Sequence, residues 1–369
     1  MLETNFLGLK LKNPVIIAAG PWNRDGASIK KSLETGVGAV VTESVISDVR
    51  IDVRPRIACD DRGTQNIHLY NDIQIEGWER EMSIAKSGGG VVIGSVSANT
   101  PSELVYLASK MEKFGADAVE ISISSPLGEA MEVKSSDAQA VYEITKEVVS
   151  AVKIPVMVKL SQNTTNISTS AKAIKAAGGT GISAINTVRG ILGVDIEEAK
   201  PMLATYGGIS GEYIRPMGLA SVATIAQTVD IPVCGIGGII SGKNAIEYMM
   251  LGASAVQVGT AVMLYGLEIA TRIIEEMEEW MREHGLKSVE EIKGKALANL
   301  NSFDEIKIEP AVSTVKGVSC TEHCDKCTVS CLYGAISRKE SEIAVEKEKC
   351  TGCGLCTFLC PAKKLKLEW

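Results

Sequence analysis

The 369-residue chain carries no surplus of basic charge: 45 acidic against 38 basic side chains leave a formal net charge of −7. Binding nucleic-acid phosphates requires a basic surface, so no nucleic acid is expected as a partner. No apolar run is long enough to span a bilayer, and residues 1–20 lack the basic start and cleavage site of a secretory leader. The expectation is therefore no membrane association and a cytoplasmic location. No G-x-G-x-x-G opens a strand–helix unit, which excludes the usual nicotinamide-binding domain. Cysteine is scarce over most of the length, with only Cys59 and Cys234 before residue 320. These two read as buried or incidental thiols.

What is present, with 45% hydrophobic and 22% charged residues, is the composition of a globular protein. Residues 1–300 alternate short Val/Ile-rich runs with longer helical patterns. The strand candidates are Val15–Ala19, Ala39–Glu43, Val91–Val96, Ala118–Ile123, Val156–Leu160, Ile182–Thr187, Val233–Gly237 and Ala255–Thr260. Such runs suit strands covered by helices on one face and packed side chains on the other. Helical patterns over Ala27–Thr35, Pro101–Phe114, Asp137–Val152, Ile167–Ala177, Pro216–Val229, Lys243–Leu251 and Leu267–His284 follow most of them, with Thr100 and Ser241 as N-caps. Eight alternations predict an α/β chain with a closed (β/α)8 TIM barrel, the alternative being an open doubly wound sheet. Two long connections, Asp48–Ile75 and Arg189–Ile214, follow strands two and six, on the side where such barrels build their sites. Residues 301–317 show no period and read as a linker to a small domain at 318–369.

That last domain holds the other eight cysteines, within the final fifty residues. Cys320, Cys324, Cys327 and Cys331 form one group; Cys350, Cys353, Cys356 and Cys360, followed by Pro361, form the other. The second is the C-x2-C-x2-C-x3-C-P run of bacterial ferredoxins, in which the fourth cysteine serves the other cluster. The expected sets are thus Cys331, Cys350, Cys353 and Cys356 for one [4Fe–4S] cluster and Cys320, Cys324, Cys327 and Cys360 for the second, in a small ferredoxin-like α+β domain. The first group has one extra residue between Cys320 and Cys324, which leaves a three-iron form open; structural zinc is the other alternative. Gly334 and Gly354 suit close approach of backbone N–H groups to sulfur. His323, inside the first group, reads as a neighbour of the cluster rather than a ligand.

Strand seven runs into Gly235-Ile-Gly237-Gly238 and strand eight into Gly259-Thr260. Barrels bind phosphate at these two loops, where glycine lets backbone N–H groups reach the anion. Both signals together predict a flavin or nucleotide monophosphate, with tight turns as the plain alternative. A flavin exchanges one or two electrons and so links iron–sulfur clusters to ring chemistry. Lys159, at the end of strand five, needs a partner in an apolar strand, and an anionic reduced flavin supplies one. Asn186 and Thr187, ending strand six, can orient a planar substrate. Ser125, just past strand four, is placed to face a ligand and to act as a weak base.

Leu9-Lys-Leu-Lys-Asn-Pro-Val15, Ala18-Ala-Gly-Pro21, the Ser125-Pro126 loop, Val158-Lys-Leu160, Asn186-Thr187, Thr205-Tyr-Gly-Gly-Ile-Ser-Gly211, Ile214-Arg-Pro216, Gly237-Gly238 and Gly259-Thr260 occur in this order. Over about residues 5–285 the chain thereby resembles the dihydroorotate and dihydropyrimidine dehydrogenase superfamily. The resemblance implies an oxidoreductase acting on a ring CH–CH bond, with FMN at Ala19, Gly20, Ser44, Ser122, Lys159, Ile185, Gly211, Gly237, Gly238, Gly259 and Thr260. It implies substrate contacts from Asn71, Ser122, Asn186 and Thr187, and Ser125 and Lys159 as catalytic residues. It implies FMN and two [4Fe–4S] clusters as cofactors. The electron partner would be a separate FAD/NAD(P)H reductase subunit or a ferredoxin, in a homodimer or hetero-oligomer.

The family loop Asn-x-Ser-Cys-Pro-Asn or -His reads here Ser122-Ile-Ser124-Ser125-Pro126-Leu127, and Glu43 stands where the family offers lysine. The membrane-associated branch uses serine as base, which keeps Ser125 in that role. Loss of two amides leaves open a non-pyrimidine unsaturated substrate, or a non-catalytic electron-transfer subunit, as alternatives. His68, near Asn71, reads equally as a substrate contact or a structural residue.

Overall fold

A computed structural model describes residues 1–47, 53–67, 71–123, 137–164, 166–306, 311–316, 320 and 324–368. The chain divides into two compact units, Met1–Leu300 and Asn301–Trp369.

In the first unit, eight parallel strands close into a barrel: β1 (Val15–Ile17), β2 (Ala39–Val41), β3 (Val91–Val96), β4 (Ala118–Ser122), β5 (Val156–Leu160), β6 (Gly181–Ala184), β7 (Val233–Ile236) and β8 (Ala255–Val258). Each pairs with its successor and β8 returns to β1, with Val258 opposite Ile17, so the open-sheet alternative falls. Helices Gly26–Glu34, Trp78–Lys86, Pro101–Lys113, Ala138–Ala151, Ile167–Ala176, Arg215–Thr228, Gly242–Met250 and Glu268–Glu283 follow the successive strands. Thr100 and Ser241 cap their helices as expected, each accepting from a backbone N–H at 3.3 Å.

The strands read as unbroken apolar runs, yet they sort by parity. Val15, Ile17, Val40, Val119, Ile121, Val156, Val158 and Val256 pack outward with the helices, while Ile16, Ala39, Val41, Ile93, Ala118, Met157, Cys234 and Ala255 pack inside the barrel. Phe6, Leu7 and Leu11, from an N-terminal hairpin (Thr4–Phe6 with Leu9–Leu11), join that inner cluster and plug one end.

Four findings depart from the sequence reading. Trp78–Lys86 is a helix where none was expected. Its apolar stripe is only Trp78, Met82 and Ala85 among charged residues, and the burial of Trp78, complete at 0% exposure, anchors it. The two long connections are not loops throughout: Ile57–Cys59 and Gly63–Asn66 from one, and Val188–Gly190 and Gly207–Gly211 from the other, form one antiparallel sheet. Strand eight ends at Val258, and Thr260 instead opens a short helix, Thr260–Tyr265. The stretch read as a linker contains the strand Val312–Val315, which pairs with Leu365–Glu368 in the second unit.

That unit also holds a hairpin, Ile336–Lys339 with Glu342–Val345, and two short helices, Lys326–Val329 and Leu355–Leu359. Its small core is Cys327, Cys356 and Cys360 with Ile336 and Leu365. Among the described residues no helix is long and apolar enough to cross a membrane.

Candidate active site at the barrel mouth

A cavity of about 190 Å³ opens at the C-terminal ends of the barrel strands. On that measure a single water takes about 10–15 Å³, so the space suits a multi-ring ligand rather than a few waters. Its wall brings together Ala19, Gly20, Ser44, Ser122, Lys159, Ile185, Asn186, Thr187, Gly211, Gly237, Gly238, Gly259 and Thr260, drawn from seven strand ends and the mouth sheet.

The far end is built from the turns after β7 and β8. Gly237 and Gly238 have φ of +129° and +62°. A Cβ on Gly238 would stand 2.8 Å from the Gly211 carbonyl oxygen and 2.7 Å from Arg215 Cβ, so only glycine fits this crossing of two backbones. Tyr248, wholly buried, donates to the Gly237 carbonyl at 2.8 Å and supports the turn from below. Thr260 starts its short helix at the same cavity, and Gly259 and Thr260 both line it. The Thr260 hydroxyl donates to Ser210 Oγ at 2.7 Å, and Ser210 and Thr64 hydroxyls meet at 2.8 Å, which ties the mouth sheet to this end of the cavity.

The floor is polar. Lys159, 7% exposed, reaches the cavity from β5, its neighbour across the ladder being Ser122 on β4. Beneath it lies Glu120, fully buried, with Oε1 3.7 Å from Lys159 Nζ. Glu120 Oε2 accepts from Ser183 Oγ and Gln257 Nε2, both at 2.8 Å. Cys234 lies close to this group: burial pushes its thiol well above the ordinary value, Glu120 adds to the rise and Lys159 opposes it. It is therefore a protonated, inert thiol, as the sequence suggested. Gln257 also lines the cavity, and its buried Oε1 has no hydrogen-bond partner among the described residues. An open acceptor in the wall, a polar floor and a glycine cradle are the features a bound flavin mononucleotide requires, and the residues present fit it.

One expected site residue is placed differently, and others fall outside the described residues. Asn71, expected at the substrate, is not among the cavity-lining residues. Its amide donates to Glu43 Oε2 at 2.5 Å and to the Arg24 carbonyl at 2.8 Å, and it accepts from Ile73 N at 2.7 Å, so it orients Glu43 from behind. Glu43 is among the wall residues and is 4% exposed, with its Oε2 accepting from Asn71. Ser125, with Pro126 and Leu127, lies outside the described residues, as do His68 and His323. Sequence reasoning missed Trp22, Arg62, Thr64, Asn66 and Gln257 as wall residues. Gln257 carried a signal, a polar side chain inside an apolar strand two residues before Gly259; the others belong to turns and to the unforeseen sheet.

In the second unit, a small cavity is lined by Cys331, Cys350, Cys353 and Cys356, the four assigned together from their spacing. Backbone N–H groups of Ala335 and Ser313 point at the sulfurs of Cys331 and Cys350, both at 3.3 Å. Gly352 and Gly354, at φ of +68° and +79°, turn the loop around this cavity. The other set also gathers: burial raises the Cys327 thiol, and Cys320, Cys360 and Cys324 are near enough to raise it further. Among the described residues no three His, Cys, Asp or Glu side chains close on a single-ion site. Four cysteines surround a space rather than a point.

The model of the dihydroorotate dehydrogenase family matches residues 1–281. The catalytic subunit of dihydroorotate dehydrogenase B (NAD(+)) from Thermoplasma volcanium is 38% identical over 301 residues, covering 80% of this chain and 98% of that protein. The same subunit from Methanocaldococcus jannaschii is 37% identical over 303 residues, with the same two coverages. The one from Pyrococcus abyssi is 37% identical over 305 residues, covering 80% and 99%. The cysteine module lies beyond the matched family model.

Proposed function

The chain belongs to the dihydroorotate dehydrogenase family, oxidoreductases of the CH–CH group, and on that premise we propose that it oxidises or reduces a dihydroorotate- or dihydropyrimidine-like ring and exchanges the electrons through its own two [4Fe–4S] clusters. The observation that carries this reading is the single cavity that collects the glycine turns after β7 and β8 together with Lys159, Asn186 and Thr187. FMN, when bound there, supplies a carrier that takes two electrons from a ring bond and passes them on singly.

The residues divide the work by position. Gly237, Gly238, Gly259 and Thr260 hold the phosphate at the turns. Lys159 presents an ammonium to the ring system from the barrel floor, where negative charge accumulates on reduction. Ser122, Asn186 and Thr187 orient the substrate ring by hydrogen bonds. Ser125 moves the proton at the ring carbon. In the second unit, Cys331, Cys350, Cys353 and Cys356 hold one cluster and Cys320, Cys324, Cys327 and Cys360 the other. Electrons leave to a separate reductase subunit or a ferredoxin.

A second reading, a non-pyrimidine unsaturated substrate, is favoured by an acidic residue, Glu43, among the residues of the cavity wall, where the family offers lysine. One anaerobic experiment separates the two. The purified protein is reduced with dithionite to the endpoint and its visible spectrum followed as orotate, uracil or thymine is added. Rapid reoxidation by one of these supports the pyrimidine reading; a flavin that stays reduced with all three overturns it and leaves the scaffold assignment standing.

A further inference from the structure

Glu120 is the one fully buried carboxylate inside the described part of the barrel, and donors on three other strands converge on it. Ser183 on β6 and Gln257 on β8 bind Oε2, while Oε1 faces the Lys159 ammonium of β5. Since β4 and β8 stand opposite each other in the eight-strand ring, the carboxylate reaches across the barrel axis. A carboxylate taken out of water is costly unless it is compensated, and the Ser183 and Gln257 donors with the nearby Lys159 side chain supply that compensation here. The 3.7 Å separation to Lys159 is longer than the 2.7–2.9 Å of a charge-assisted hydrogen bond. The ammonium is thus steadied by Glu120 and keeps its N–H donors for the cavity above. Lys159 and Gln257 line that cavity; Glu120 and Ser183 do not.

We propose that Glu120 is a positioning residue that fixes the Lys159 ammonium at the cavity floor and, through its own negative charge, sets the redox potential of the flavin bound above. This rests on the FMN reading given above. The pair forms a vertical dipole, positive toward the ligand and negative beneath. An ammonium alone would favour the electron-rich reduced flavin strongly; the carboxylate below offsets part of that preference. Ser183 and Gln257 keep the carboxylate from rising into contact with the ammonium.

The test is the midpoint potential of the flavin in the full-length holoprotein, measured by anaerobic spectroelectrochemistry, with FMN content determined on the same sample. Glu120→Gln shifts the potential to more positive values, and Glu120→Asp, which keeps the charge, returns it toward wild type. An unchanged potential in a flavin-loaded Glu120→Gln protein overturns the proposal, since a purely structural carboxylate moves stability and not potential. If Glu120→Gln does not accumulate folded, the double variant Glu120→Gln/Lys159→Gln is compared with Lys159→Gln. The double variant has the more positive potential; equality of the two overturns the proposal. A wild-type protein that binds no FMN removes the functional reading and this inference together, whereas loaded wild type with an indifferent Glu120→Gln removes this inference alone.

Discussion

Tyr248 donates a hydrogen bond to the carbonyl oxygen of Gly237 at 2.8 Å, joining the helix Gly242–Met250 to the turn that forms the far end of the cavity. The phenol is fully buried, and burial pushes it well above its ordinary value of 10.0. It therefore stays protonated and keeps donating in the folded state. Tyr248→Phe removes that donor from a buried carbonyl, which costs about 1–3 kcal/mol. Lower thermal stability and weaker flavin retention are expected together. The alkaline behaviour supplies a second readout. A phenol whose folded value lies above its unfolded value contributes stability that is complete below pH 10 and is lost as the pH rises toward the folded value. Wild type thus loses stability more steeply above pH 10 than Tyr248→Phe, as denaturant titrations at pH 8 to 11 will show.

Gly238 tests the phosphate end. Its φ of +62° disfavours any side chain, and a Cβ would press on Gly211 O and Arg215 Cβ. Gly238→Ala is expected to cost about 1–2 kcal/mol from backbone conformation alone and to move the turn away from the anion. The flavin-to-protein ratio after purification should fall well below that of wild type, with the secondary structure seen by circular dichroism preserved.

Glu43 discriminates between substrates. A carboxylate in a poorly solvated wall repels an anionic ligand, by roughly 4 kcal/mol at contact distance and intermediate screening. Glu43→Gln keeps a side chain that can still meet Asn71 and removes the charge. Apparent affinity for orotate, which is anionic, should rise at least tenfold relative to neutral uracil. Equal changes for both would show that Glu43 does not face the substrate charge.

Cys353 addresses the metal content. It lines the cavity shared with Cys331, Cys350 and Cys356 and is not part of the group around Cys327. Cys353→Ser should lower the iron content by about half and leave one cluster visible by electron paramagnetic resonance. Cys327→Ser should remove the complementary signal. Loss of all iron from either variant would contradict the two separate sets.

Much of this was readable from local pattern. Each barrel strand was located within a few residues, because Val/Ile-rich runs at regular intervals need no knowledge of partners. The glycine turn of Gly237-Gly238 was equally legible, since its positive φ restricts residue type on the spot. Helix Trp78–Lys86 escaped because one buried tryptophan, rather than a broad apolar stripe, anchors it. The mouth sheet escaped because its strands are short, polar or glycine-rich, and come from segments more than a hundred residues apart, as in Thr64 opposite Ser210.

Cysteine spacing and the eightfold strand–helix alternation were determined by sequence alone, since each is a constraint between near neighbours in the chain. The tertiary structure decided which polar groups meet. It turned Asn71 onto Glu43 rather than into the cavity wall, and it brought Glu120, Lys159, Ser183 and Gln257 from four strands onto one carboxylate. Periodicity shows which face a side chain occupies, but the partner across the barrel is set only when the ring of strands closes in a particular register. Once closed, the low-dielectric interior makes it costly to leave a buried polar group without a partner, so most of them pair across the barrel.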